Sequence, residues 1–134
     1  IHLCREPMDL CFANFRERLA DQATHQHSFE ALAHFHRTYR ELMAFWHRRY
    51  PGFILDVHYE ELVQDTAAQM QRVSEFCGLQ TASPMPNARP NQTIVATPSA
   101  AQVRKPVHAE SIGQWRRYEA QLAPLARLLS MTAK

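Results

Sequence analysis

An α/β fold, mainly helical and with two parallel strands near residues 1–5 and 53–58, is expected from three features of this chain. Ile1 to Cys4 form a short apolar run that ends at Arg5, after which apolar residues take helical spacing at Met8, Cys11, Phe12, Phe15 and Leu19. A second strand-like run, Phe53 to Tyr59, turns apolar side chains to both faces, as the interior of a sheet covered by helices requires. Most other apolar residues recur at intervals of three and four, the mark of amphipathic helices.

Taken in order, the first strand feeds a helix from about Met8 to Leu19, with Pro7 where proline suits a helix start. In open α/β sheets ligands sit outside the carboxyl ends of strands. Arg5, there beside free backbone N–H groups, suits a phosphate. The bland alternative is a surface pair with Glu6 or Asp9. After a polar loop, Ser28 is expected to cap a long helix reaching Arg49. Its apolar stripe, Phe29, Leu32, Phe35, Tyr39, Leu42, Met43 and Trp46, reads as core, and Pro51-Gly52 ends it. The second strand places Phe53, Leu55 and Val57 on one face and Ile54 on the other. Tyr59 to Val63 is a short helical turn. Asp65 or Thr66 caps the next helix, whose face is Met70, Val73, Phe76 and Cys77, and Gly78-Leu79 suits a Schellman ending. Five prolines between Gln80 and Pro106 (residues 84, 86, 90, 98 and 106) indicate a long extended loop. Ser111 to Trp115 turns back into helix. The last helix, about Glu119 to Met131, carries Leu122, Leu125, Leu128 and Leu129, with Pro124 kinking it or moving its start.

Composition sets limits. The 134 residues point to one domain, with 46% apolar and 21% charged residues, an ordinary globular balance. A net charge of +2 demands neither nucleic acid nor an anionic membrane. No apolar run is long enough to cross a bilayer, and no signal peptide is visible. Cys4, Cys11 and Cys77 are odd in number and lie in apolar contexts, which favours reduced, buried thiols; a cytoplasmic location is expected. The chain opens at Ile1 inside an apparent core strand, from which an internal start is expected.

Chemistry concentrates in three places: Arg5, the Tyr59-Glu60-Glu61 group, and Ser99 through Trp115. The third leads into Arg116, Arg117 and Tyr118 and contains Arg104 and Lys105, so cations alternate with rings. That pattern suits a phosphorylated aromatic ligand, guanidinium for the phosphate and ring for the base; a solvated basic face is the commoner fate of such a run. His25, His27, His34 and His36 lack the spacing of a metal site, and no metal ligands are assigned. Asp9 is expected to support Arg5 or the helix start.

The block Arg5-Glu-Pro-Met-Asp9 after an apolar strand resembles the Arg-Asp-Pro-x-Asp motif of sulfotransferases that use 3′-phosphoadenosine 5′-phosphosulfate. Ile54-Leu-Asp-Val-His-Tyr-Glu-Glu-Leu-Val63 resembles that family's strand followed by Tyr-Glu-Asp-Leu, and Val73-Ser-Glu-Phe-Cys-Gly-Leu79 resembles its Phe-Cys-Gly-Leu helix end. Ser99 to Val107 and Ser111 to Tyr118 resemble its Gln-Val-Arg-x-Pro and Gly-x-Trp-x-x-Tyr segments. Five blocks in order span essentially the whole chain. The nearest likeness is to bacterial sulfotransferases, often fused to tetratricopeptide repeats, and to protein-tyrosine sulfotransferases.

The resemblance implies a piece of a P-loop-NTPase-like sulfotransferase domain, its C-terminal part. It implies transfer of a sulfuryl group from that donor to a hydroxyl acceptor, leaving 3′-phosphoadenosine 5′-phosphate. Arg5 matches the arginine on the 3′-phosphate, Tyr59 a tyrosine near the nucleotide, and Ser99 a serine of the nucleotide-proximal loop. Gly113 to Arg116, with Gln114 and Arg116 as site residues, match the part that closes over the cofactor. Two positions depart from the pattern. Ala13 stands where the family has a second phosphate ligand, a serine, and Gln114 stands where a lysine or arginine precedes the tryptophan. Each lost charge-assisted bond is worth roughly 1.5–3 kcal/mol. With glycine only at 52, 78 and 113, the chain has no glycine-rich phosphate cradle, so the catalytic base and phosphosulfate loop are expected upstream and no catalytic residue is assigned. The acceptor is a small molecule, glycan or peptide bearing a hydroxyl, and a second copy of the chain is a conceivable partner. The rival reading is a non-catalytic helical module that binds an acidic partner or RNA through the basic Arg104–Arg117 segment.

Overall fold

The computed structural model describes residues 1–16, 28–79 and 109–131. It is mostly helical with one two-stranded parallel sheet, and divides into two compact units. The first comprises Ile1–Cys4 and Leu55–Glu110, the second Arg5–Ile54 and Ser111–Lys134. Among the described residues, no helix is long and apolar enough to cross a membrane.

In the first unit, strand β1 (His2–Cys4) pairs with β2 (Asp56–His58) in parallel, His2 opposite Asp56, Leu3 opposite Val57 and Cys4 opposite His58. Both strands are shorter than their apolar runs. Val57 is buried, whereas Leu3 is more than half exposed. Helix α3 (Tyr59–Gln64) follows β2 at once. Helix α4 (Thr66–Phe76) is capped by Asp65, whose Oδ1 accepts the Ala68 N–H at 3.0 Å. Its far end is a full Schellman motif: the Leu79 N–H donates to Ser74 O and the Gly78 N–H to Glu75 O, with Gly78 at φ +66°. The apolar face expected of α4 is corrected in part. Met70 and Val73 are half-buried, Phe76 and Cys77 are exposed, and the buried residue is Ser74. Ser74 manages this because its Oγ donates to Met70 O at 2.9 Å. The expectation of three buried thiols is corrected too: all three are free, Cys11 buried, Cys4 half-buried and Cys77 exposed.

The second unit is helical. Helix α1 (Pro7–Arg16) is capped by Glu6, whose Oε2 accepts the Asp9 N–H at 2.8 Å. The first turn therefore offers fewer free N–H groups than expected, since Pro7 has none and Asp9's is taken. Ser28 caps α2 (Phe29–Arg49) through an Ala31 N–H to Oγ bond of 3.0 Å. A 3₁₀ segment (Gln114–Tyr118) leads into α5 (Glu119–Ser130). The start of α5 stays at Glu119 with Pro124 inside the helix. The core of this unit is Met8, Cys11 and Phe12 of α1, Leu32 and Ala33 of α2, and Leu122 and Leu125 of α5. Burial, with Glu6 adding to it, pushes the Cys11 thiol up to about 11, which keeps it an inert apolar filler.

The long apolar stripe of α2 is half a core. Leu32, Ala33 and His36 are buried, but Phe35, Leu42, Phe45 and Trp46 are each about 40–50% exposed. Length explains part of this: α2 has 21 residues against 12 in α5, about 32 Å against 18 Å at 1.5 Å per residue. The exposed rings pack on one another, with Trp46 stacked on Tyr50 at 5.8 Å between centroids. Phe53, expected on a core strand face, is 79% exposed and precedes β2.

Leu125 is fully buried where α1, α2 and α5 meet. Leu125→Ala should cost about 2–5 kcal/mol in urea unfolding, whereas Phe53→Ala should change it by no more than about 0.5 kcal/mol.

Candidate nucleotide-binding site

Arg5 directly follows the last residue of β1 and begins the second unit. Its Nη2 donates to the Ser111 carbonyl at 2.8 Å, across 106 residues of sequence. One turn into α1, Asp9 is 98% buried (2% exposed), and its Oδ2 accepts the Gly113 N–H at 2.7 Å. Asp9 Oδ1 is buried with no hydrogen-bond partner among the described residues. A third tie lies farther along the helix, where Arg16 Nη1 donates to Gln114 Oε1 at 2.7 Å on the surface. The ring of Phe12 meets that of Tyr118 at 5.4 Å between centroids.

Asp9, Phe12, Ala13 and Arg16 occur at helical spacing, so they form one stripe of α1. That stripe receives the 111–118 segment. The segment turns sharply at Gly113, which has φ +70° and heads the 3₁₀ turn. This conformation costs a side-chain-bearing residue about 1–2 kcal/mol. Trp115 packs partly buried against the core, and the exposed Arg116 places its Cζ 5.8 Å from the Trp115 ring centroid. Cations and a ring thus alternate along a segment held by two hydrogen bonds from α1 side chains and one to Arg5. Such a segment can hold an anion beside a flat heterocycle.

Of the residues singled out from sequence, Arg5, Gln114 and Arg116 lie in this one unit, Arg5 bonded to Ser111 and Gln114 to Arg16. Tyr59 is the first residue of α3, in the first unit. Ser99, Arg104 and Lys105 lie outside the described residues, as does the long loop over 80–106. Three contributors were missed: the Ser111 carbonyl, Arg16, and Asp9 as the acceptor for Gly113. The signal for Asp9 was available, because it is an acid set among the apolar positions Met8, Cys11 and Phe12, and a buried carboxylate must find a donor.

A sequence profile described as the sulfotransferase family matches residues 1–83. It includes the blocks at Arg5, Tyr59 and Phe76, while those at Ser99 and Trp115 lie beyond it. The chain is also 30% identical over 132 residues, 96% of its length, to an uncharacterized protein of Aquifex aeolicus. It spans 17% of that relative's length. No solved structure matches the chain.

Asp9→Ala removes the acceptor for the Gly113 amide. In amide hydrogen exchange the Gly113 N–H should be protected in the parent chain and exchange at least about tenfold faster in the variant, as loss of roughly 1.5–3 kcal/mol of charged hydrogen bond requires. Equal exchange in both would show that the bond does not hold the segment.

Proposed function

Because the chain belongs to the sulfotransferase family, we propose that it supplies the 3′-phosphoadenosine side of a site that moves a sulfuryl group from 3′-phosphoadenosine 5′-phosphosulfate to a hydroxyl acceptor. The fold assigned with it is a P-loop-NTPase-like α/β domain, to which the parallel strands and flanking helices would belong. The observation that carries this reading is the bond from Arg5 to Ser111 O. It joins the block that begins at the motif arginine to the block that begins at Ser111, beside the Asp9–Gly113 bond.

The residues present fit such a ligand in kind. Arg5 and Arg16 both reach the 111–114 segment, at Ser111 O and Gln114 Oε1, and a guanidinium is the side chain whose fork matches a phosphate. Trp115 and Arg116 add a ring and a further cation for an adenine. Glu6, which occupies the Asp9 N–H at the start of α1, leaves less room for a phosphate on the helix N-terminus itself, so the anion falls to the arginines. Arg16 also brings a positive charge to Gln114, where the family's lysine or arginine is absent. In this reading Arg5 binds the 3′-phosphate, Gln114 and Arg116 line the closing segment, Tyr59 and Ser99 are assigned to the nucleotide by the resemblance of their motifs alone, and none of these residues takes the acceptor's proton. The donor supplies the activated sulfuryl group; the chain's own part is to bind and orient its nucleotide end.

The test is thermal unfolding with 3′-phosphoadenosine 5′-phosphate, with 5′-AMP as the ligand lacking the 3′-phosphate. At about 100 times the dissociation constant the bisphosphate should stabilise the chain by roughly 2.7 kcal/mol. The shift should fall to the 5′-AMP level in Arg5→Ala, whose own melting curve shows whether it folds. A shift equal for both ligands, or unchanged in Arg5→Ala, would sink the assignment.

Ala13 offers a gain-of-function test. It is half-buried and shares the α1 stripe with Asp9 and Arg16, at the position where the sulfotransferase pattern it resembles has a serine. Ala13→Ser should tighten the bisphosphate about tenfold by calorimetry, the worth of one hydrogen bond to a charged group, and leave 5′-AMP unchanged.

A further inference from the structure

Helix α2 carries an apolar seam that the core of its own unit does not use. Phe35, Thr38, Leu42, Phe45 and Arg49 recur at alternating steps of three and four, the spacing of the two inward positions of a coiled-coil heptad. All five are exposed, Phe35, Leu42 and Phe45 each by about half. At about 100° per residue, the centre of this seam lies roughly 150° around the helix from the centre of the buried set, Leu32, Ala33 and His36. Trp46 borders the seam on one side, edge-on to Phe45 at 5.0 Å and stacked on Tyr50 at 5.8 Å between centroids.

The opposite border carries Glu41 and Arg48, both exposed. Neither side chain makes an ion pair or a hydrogen bond among the described residues. Within one helix they do not suit each other, because pairing favours separations of three or four residues.

These charges decide what fits the seam. Two copies of α2 laid antiparallel, about a two-fold axis crossing between Met43 and Ala44, set Leu42 of one copy level with Phe45 of the other, and the reverse. The same axis runs the two charged borders along each other. Glu41 of each copy then meets Arg48 of the other, which gives two ion pairs by symmetry, and Arg49 comes level with the hydroxyl residue Thr38. A parallel pair would instead set Arg49 against Arg49 and turn Glu41 toward the Trp46 border of its neighbour.

The area is also of the right order. Phe35, Phe45, Trp46 and Tyr50 are 38–50% exposed, and a ring side chain carries about 150–250 Å². With Leu42 they present roughly 400 Å² of apolar surface, the size of patch that marks an interaction site. Doubled by symmetry and flanked by charges, it approaches the roughly 1,200 Å² at the lower end of specific interfaces.

We propose that this face of α2 is a homodimer interface, in which two copies of the chain pack α2 against α2 in antiparallel fashion. Leu42 and Phe45 form its centre and reciprocal Glu41–Arg48 pairs form its rim. The inference stands on α2 alone and is independent of the nucleotide reading.

The test is analytical ultracentrifugation of the full chain at rising concentration and low ionic strength, since salt screens such rim pairs. The parent should be dimeric by about 100 µM. Glu41→Arg and Arg48→Glu each place like charges opposite one another in both symmetric pairs, and each should weaken the dimer at least about tenfold. Unchanged far-ultraviolet circular dichroism at these exposed positions shows that the helix is intact. The two single variants mixed together should associate like the parent, because every rim pair is again of opposite sign, and the double variant should do the same. A parent still monomeric at about 100 µM, single variants that dimerise as well as the parent, or a mixture that stays monomeric would overturn the interface.

Discussion

A carboxylate buried in the first turn of a helix must be met by a donor, and Asp9 meets its donor in the backbone of Gly113. Both groups belong to the unit whose core is α1, α2 and α5. The bond fixes where the chain re-enters that unit after Glu110. Ser111, Gly113 and Gln114 are each tied by one α1-side residue, and three ties in four residues leave the segment little freedom. Gly113 is needed for a second reason, since its positive φ turns the segment so that Trp115 can reach the core. The buried acid and its two neighbouring ties thus bring a cation at Arg5 and the turn that carries Arg116 to one place.

The two units solve folding differently. In the second, apolar burial dominates: Leu32 and Leu125 are essentially inaccessible, and burying each contributes about 1.5–3 kcal/mol. In the first, few large side chains are buried among the described residues, and polar closures hold the elements. Asp65 caps α4, Ser74 satisfies itself within the helix, and Gly78 closes the end through paired backbone bonds.

Much of the helical pattern was legible because caps and periodicity act within a few residues. Ser28, Asp65 and Gly78 stand where the sequence marks them, and α2 and α5 run close to the spans expected. The failures share a cause. The Phe35–Trp46 stripe has the spacing of a core face, yet spacing reports which residues are aligned and not how far a neighbouring helix extends. Phe53 has strand-like company, but its place before β2 leaves it exposed. Ser74 is absent from the apolar face read from the sequence, and its hydroxyl bond to Met70 O makes its burial tolerable.

By itself the sequence determined the local elements, their order, and the family through its ordered motif blocks, since all of these depend on interactions between near neighbours or on residue identity alone. Only the tertiary structure decided that Asp9 closes on Gly113 across 104 residues, that Arg5 meets Ser111, and that the β1–β2 register sets His2 opposite Asp56. These pairings carry no local signal. They arise when distant groups, taken out of water together, have only each other left to satisfy them.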